Sequence, residues 1–190
     1  MNHRSKLTKI AVAAALTASL GLAGCSALGG ASAAYLEADN ADRAGQIASA
    51  LDSIAEKIGA DALITDMSVL ENSTTVSAID SAAKDELNSW RVLNGKMEES
   101  VPVDYGDDVE ALQENAFPLK DVDPSVIAKL IDEAPGMSGF DDLTVTAVSL
   151  SYPLVAFGEE DWKPQYKVSL DGERHDETLT FELDGSLVKE

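Results

Sequence analysis

The sequence predicts an α+β protein: two α-β-β-β-like units whose strands form one antiparallel sheet with the helices packed on one face. Three observations carry that prediction. Segments 42–58 and 123–134 place apolar residues at steps of three and four, the period of a helix with one buried stripe. Shorter runs rich in β-branched residues are separated by turn pairs, Asn94-Gly95, Asp171-Gly172 and Asp184-Gly185. The order helix, strand, strand, aromatic-basic-Val strand, Gly turn, strand then occurs twice.

In the first unit, residues 41–105, Ile47, Leu51, Ile54 and Ile58 form the helical stripe. Asp42 is the expected N-cap, and Gly59 ends the helix where a left-handed residue is needed. Strands are expected at 62–70 and 74–79, joined by the turn Glu71-Asn72-Ser73. The polar stretch 81–88 reads as a loop or a helical turn. Trp90-Arg91-Val92-Leu93 resumes a strand, Asn94-Gly95 turns it, and 101–105 is its expected partner. Residues 106–120 form a connector with a short helix, Val109 and Leu112 on its apolar side. Asp107, Asp108 and Glu110 complement that helix's dipole, which accounts for the acids without a metal.

The second unit, residues 121–190, opens on Asp123-Pro124, a capping residue followed by a proline at the first helical position. Val126, Ile127, Leu130, Ile131 and Ala134 form its stripe, and Pro135-Gly136 is expected to end it. Strands follow at 143–151, 154–157, 165–170 and 178–183, and Ser186 to Val188 offers a short last one. Gly59-Ala60-Asp61-Ala62-Leu63 aligns with Gly139-Phe140-Asp141-Asp142-Leu143, and Trp90-Arg91-Val92 with Tyr166-Lys167-Val168. Each unit alone has a small core; two of them build a larger one.

The N-terminus carries a different message. Arg4, Lys6 and Lys9 precede the uncharged run 10–23. Fourteen helical residues reach about 21 Å, short of a bilayer's ~30 Å apolar core, so a cleavable signal fits better than a spanning helix. The run ends in Leu22-Ala23-Gly24-Cys25, which resembles the lipobox of bacterial lipoproteins. The resemblance implies that Cys25 takes a lipid, that residues 1–24 are a signal peptide, and that the chain sits on the extracytoplasmic face of the cell membrane. Residues 25–40, rich in Ser, Ala and Gly, then read as the lipidated cysteine and a flexible tether. Cleavage leaves 166 of 190 residues and removes three basic ones, moving the net charge from −20 to −23. With the lone cysteine acylated, no disulfide or thiol nucleophile is expected.

The second unit also resembles PepSY-like and β-lactamase-inhibitor-like α-β-β-β modules of secreted bacterial proteins. The residues concerned are the helix 123–134, Tyr166-Lys167-Val168-Ser169-Leu170 with Asp171-Gly172, and 180–187. The first unit shares the likeness more loosely, giving tandem modules. The resemblance implies a binding or inhibitory module without a cofactor, and it assigns no functional residue.

Little in the chain spells out a reaction. The mature region holds one histidine, His175, in a turn-like acidic stretch, too few ligands for a His/Cys zinc site. There is no G-x-S-x-G, no phosphate-cradling Gly loop and no EF-hand spacing. An enzyme, a metal site and a cofactor are therefore not expected. The excess of acid argues against nucleic acid and for a basic envelope or secreted protein as partner. Trp162, Trp90 and Tyr166, with Tyr152, are the residues best suited to anchor one. The expected function is a membrane-anchored, non-catalytic protein-binding or inhibitory module; the alternative is a carrier of a lipid or small apolar ligand.

Overall fold

Helix α1, Asn40–Ile58, forms where the first stripe was expected and buries Ile47, Ala50, Leu51 and Ile54. Its cap is Asp39 rather than Asp42: the Asp39 carboxylate accepts from the Asp42 N–H, so the helix starts one turn earlier. Gly59 follows with φ 94°, a conformation that a side chain strains. The computed structural model describes residues 35–36, 38–83, 85–106, 108–153 and 163–188. The expected strand at 154–157, the signal and tether through residue 34, and Trp162 lie outside the described residues.

Strands β1 (Leu63–Leu70), β2 (Ser73–Ile79) and β3 (Leu87–Leu93) follow as an antiparallel meander. Asn94 and Gly95 then turn the chain with φ of 51° and 72°, the paired positive values of a tight hairpin. The returning strand is shorter than expected and broken. β4 (Lys96–Met97) pairs with the end of β3, and β5 (Val101–Val103) pairs with its start. Helix α2, Val109–Glu114, is capped by Asp108, and β6 (Phe117–Pro118) pairs with the start of β1.

Helix α3, Pro124–Met137, is capped by Asp123 and carries Pro124 in its first turn. It does not stop at Pro135. A proline in the last turn forfeits one hydrogen bond only, and the helix runs on to Met137 before Ser138 bonds back to the Pro135 carbonyl. Strands β7 (Thr144–Ser151), β8 (Gln165–Asp171) and β9 (Asp176–Phe181) complete a second meander. The expected last strand is a single bridge, Phe181 to Leu187.

The nine described strands belong to one antiparallel sheet, ordered β4-β3-β2-β1-β7-β8-β9, with β5 beside β3 and β6 beside β1. The α+β class and the antiparallel sheet are as expected. The sheet continues across the boundary drawn between the units, because β1 and β7 pair directly, Ser68 opposite Ser149. The described residues from Tyr35 onward pack as one compact unit. β1 and β7 each carry an irregularity at their third residue, Thr65 and Thr146, which turns the flanking Ile64 and Val145 toward the core.

Side chains on a strand alternate between faces, so the register sorts them. One face carries the row Trp90, Val76, Met67, Leu150, Tyr166, Phe181 across six strands. Beside it run Val92, Thr74, Val69, Val148, Val168 and Leu179. Helices α1 and α3 pack against each other and over these rows, closing one continuous core. The shorter helix departs from the one-face expectation. Leu112 of α2 meets Ile79 and Leu87, which point to the opposite face, and builds a small second core at that end.

Candidate functional site

Away from α2, the second face of the sheet carries no described helix. Its central row reads Arg91, Thr75, Ser68, Ser149, Lys167, Thr180 from one side to the other. Six strands at about 4.8 Å spacing make that row about 24 Å long. One neighbouring row is Leu93, Ser73, Leu70, Ala147, Ser169, Thr178, and the other is Ser89, Ser77, Asp66, Ser151, Gln165. Short hydroxyl side chains dominate, and Asp66, Arg91 and Lys167 are the only charges in the three rows. For a chain of net charge −20, this is a nearly neutral platform. Asp66 is held flat on it, accepting from Thr65 at 2.9 Å and Ser77 at 3.2 Å.

Two further features border the sheet on its helix side. Trp90 ends the long apolar row and is half-buried. Beyond its ring lies an open cleft of about 600 Å³ shared with Met97, Lys57, Glu98, Glu99 and Ser100. The second cleft, about 570 Å³, lies between the end of α3, the start of β7 and the point where the chain enters at Leu36. Leu36, Ile131, Pro135, Leu143 and Val145 supply its apolar lining; Arg43, Asp132 and Glu71 make it partly charged.

Arg43 is the functional-looking group that sequence reasoning missed. It is 4% exposed, and its guanidinium donates to the carbonyls of Tyr35, Leu36 and Ala38 and, on α3, to the Asp132 carboxylate and, at 3.5 Å, the Ala128 carbonyl. Burial pushes the Asp132 carboxyl up, but hydrogen bonds from Arg43 and Asn40 and the Arg43 charge together hold it below the ordinary carboxylate range. Every donor has a partner, so Arg43 is a clamp that binds the entering chain to both long helices. The signal for it was its place on the α1 stripe, four residues before Ile47.

The named anchors part company. Trp90 reaches the surface at its cleft. Tyr166 is fully buried in the core and offers nothing to a partner. Its hydroxyl lies by the Asp123 backbone without a well-formed hydrogen bond, and burial pushes its pKa up to about 12. Tyr152 is half-buried and packs edge-on against Phe117, 6.1 Å between ring centres. Trp162 and Cys25 lie outside the described residues.

His175 is exposed in the β8–β9 turn and stacks on Phe140, 4.3 Å between centres. Asp176, opposite Asp171 in the same hairpin, has its carboxyl pushed up by a hydrogen bond to that neighbour and by its charge. Among the described residues, no group of three or more His, Cys, Asp or Glu is arranged to hold a metal ion. No described helix is long and apolar enough to cross a membrane. Compared with protein-family models, curated proteins and solved structures, the chain shows no significant match.

Proposed function

We propose that this chain is a lipoprotein held at the extracytoplasmic face of the cell membrane through Cys25, acting as a non-catalytic module that binds, and on binding inhibits or recruits, another envelope or secreted protein. The observation that carries the reading is the second face of the sheet. Three rows in which Ser and Thr dominate, with Leu70, Leu93 and Ala147 among them and Ser73 and Ser77 buried, lie there with no described helix over them, while the opposite face is committed to the core. A face rich in Ser and Thr buries a partner's surface with little side-chain entropy lost, because these residues have few rotamers to fix.

The repeat supports a tandem-module form of the same reading. Each half runs helix and then three strands, and the halves meet at their first strands. Adding 81 to a β1 position gives its β7 counterpart: Thr65 and Thr146 are the irregular residues, and Ser68 and Ser149 face each other. That offset differs by one residue from the alignment through Gly59 and Gly139. It also separates Trp90, on the third strand after α1, from Tyr166, on the first described strand after β7. On this reading the modules are PepSY-like units with a pseudo-twofold axis between Ser68 and Ser149.

The test is capture from envelope extract of the source organism, comparing the wild-type chain with Ser68→Arg/Ser149→Arg, which places two bulky charges at the centre of the platform. One stoichiometric protein held by the wild type and lost from the variant supports the reading. Equal capture by both removes the sheet face as the site. The carrier alternative draws on the second cleft, with its five apolar side chains and about 570 Å³. A lipid or small molecule seen by native mass spectrometry of the extracted protein, with no protein captured, moves the assignment there.

A further inference from the structure

We infer that the Trp90 cleft receives the side chain of an arginine or lysine from a basic partner segment. This rests on the binding-module reading and adds the partner's chemistry at a site apart from the polar platform. The cleft lies where the outer edge of β3 passes from one partner strand to the next. Val92 and Leu93 pair with β4, the Glu98 N–H still donates to the Arg91 carbonyl at 2.8 Å, and Leu87 to Ser89 pair with β5, so Glu99 and Ser100 are the link between the two paired stretches. Trp90 and Met97 form the floor, and both pack against the main core from the helix side, so this apolar surface is fixed in place. The rim is charged: Glu98 and Glu99 on one side, Lys57 from the last turn of α1 on the other.

Those groups select among occupants. A cation over the indole face is attracted by the ring's electron density, and the alkyl stem of arginine or lysine covers apolar floor while its charge stays near water. Glu99 has no hydrogen bond or ion pair among the described residues, so its carboxylate is available. Glu98 lines the cleft at the sheet edge, but its carboxylate lies 3.7 Å from Arg91, whose side chain belongs to the polar face, and both side chains are more than 40% exposed. So loose a pair yields to an incoming cation at small cost. An acidic side chain meets two like charges there, and an aliphatic one leaves Glu99 unanswered. The net charge of −20 draws a basic segment toward the chain from a distance.

The chain's two tryptophans make the site directly observable. Trp162→Phe leaves Trp90 as the sole indole reporter in the full-length chain, purified in a mild nonionic detergent. An acetylated, amidated tetra-arginine peptide is titrated at low salt, with tetraglutamate and tetraglycine as controls. The expected result is a saturable change in Trp90 emission with tetra-arginine alone. Glu98→Gln/Glu99→Gln should weaken it about fivefold, the scale of two rim charges beside an aromatic face. Lys57→Gln should tighten it. Glu110→Gln/Glu114→Gln, an equal charge change on α2, should leave it within about twofold, and circular dichroism confirms that each variant is folded. A silent Trp90, equal weakening by the two glutamine pairs, or weakening by Lys57→Gln overturns the inference. A partner captured by the polar platform while Trp90 stays silent refutes the cleft assignment alone. A Trp90 response with no captured partner counts against the platform instead.

Discussion

Arg43→Met tests the clamp most directly, because methionine keeps the buried stem and removes only the guanidinium. The variant loses hydrogen bonds to the Tyr35, Leu36 and Ala38 carbonyls, a long one to the Ala128 carbonyl on α3, and the ion pair with Asp132. A hydrogen bond to a charged group is worth about 1.5–3 kcal/mol, but the part-buried Leu36 and Ala38 carbonyls can regain water, which leaves the buried Tyr35 carbonyl as the main loss. The Asp132 side chain is 42% exposed and also rehydrates, so its share is that of a surface pair, about 1 kcal/mol or less. The expected loss is therefore about 3–4 kcal/mol, a large part of a domain's usual 5–15 kcal/mol. Urea unfolding of residues 26–190 at pH 7 measures it, with Asp132→Asn and the double variant completing a cycle. Asp132→Asn should cost about 1 kcal/mol and add almost nothing to Arg43→Met. A loss below 1 kcal/mol for Arg43→Met, or an equal loss for Asp132→Asn, would refute the view that backbone carbonyls are the main target.

The Asp132 carboxyl sits below its ordinary range in the fold, so its contribution is present above the unfolded pKa of about 3.9 and fades as pH falls through the lower folded value. The stability gap between wild type and Asp132→Asn should accordingly close in acid and stay constant from pH 5 upward. Tyr166→Phe should be neutral or stabilising by up to about 1 kcal/mol, since it removes a buried hydroxyl without a good partner; a clear loss in thermal unfolding would mean the hydroxyl does bond near Asp123. Gly95→Val should cost about 1–2 kcal/mol, because φ of 72° is hostile to a β-branched residue, and an unchanged urea midpoint would contradict that. Cys25→Ser should move the protein from the membrane pellet to the soluble fraction, and mass spectrometry of the wild type should show a diacylglycerol adduct on the first residue of the processed chain.

Much of the fold was written in local patterns. The stripes at Ile47 to Ile58 and Val126 to Ala134 and the Asn94-Gly95 turn are short-range signals, and they placed both long helices and the turn that ends β3, though not β4 as its immediate partner. The misses depended on choices between near-equal local options. Asp39 and Asp42 are both good caps, and only the structure shows which carboxylate meets the open N–H. Pro135 looks like a stop, yet in a last turn it removes a single bond. Tyr166 stood among the candidate anchors because a Tyr-Lys-Val strand gives no sign that β8 lies between β7 and β9, where that side chain is buried. The candidate sites were less legible still. The polar rows exist only once six strands are in register, and the Trp90 cleft depends on an interruption between β4 and β5 that no local motif announces.

The meeting of β1 and β7 has a consequence for how the chain must be made. A three-stranded meander taken alone would leave its first strand as a bare edge, with unpaired N–H and C=O groups inviting any other strand to join. Here each half supplies the other's missing neighbour, so two hazards cancel in the middle of the sheet. Until both halves are synthesised, the first half has that edge open, and a partner from another chain satisfies it as well as its own second half does. Cutting the chain between Asp104 and Leu119 should yield two fragments that aggregate separately and pair when mixed, and strand exchange between neighbouring molecules is the error this topology must outrun during folding.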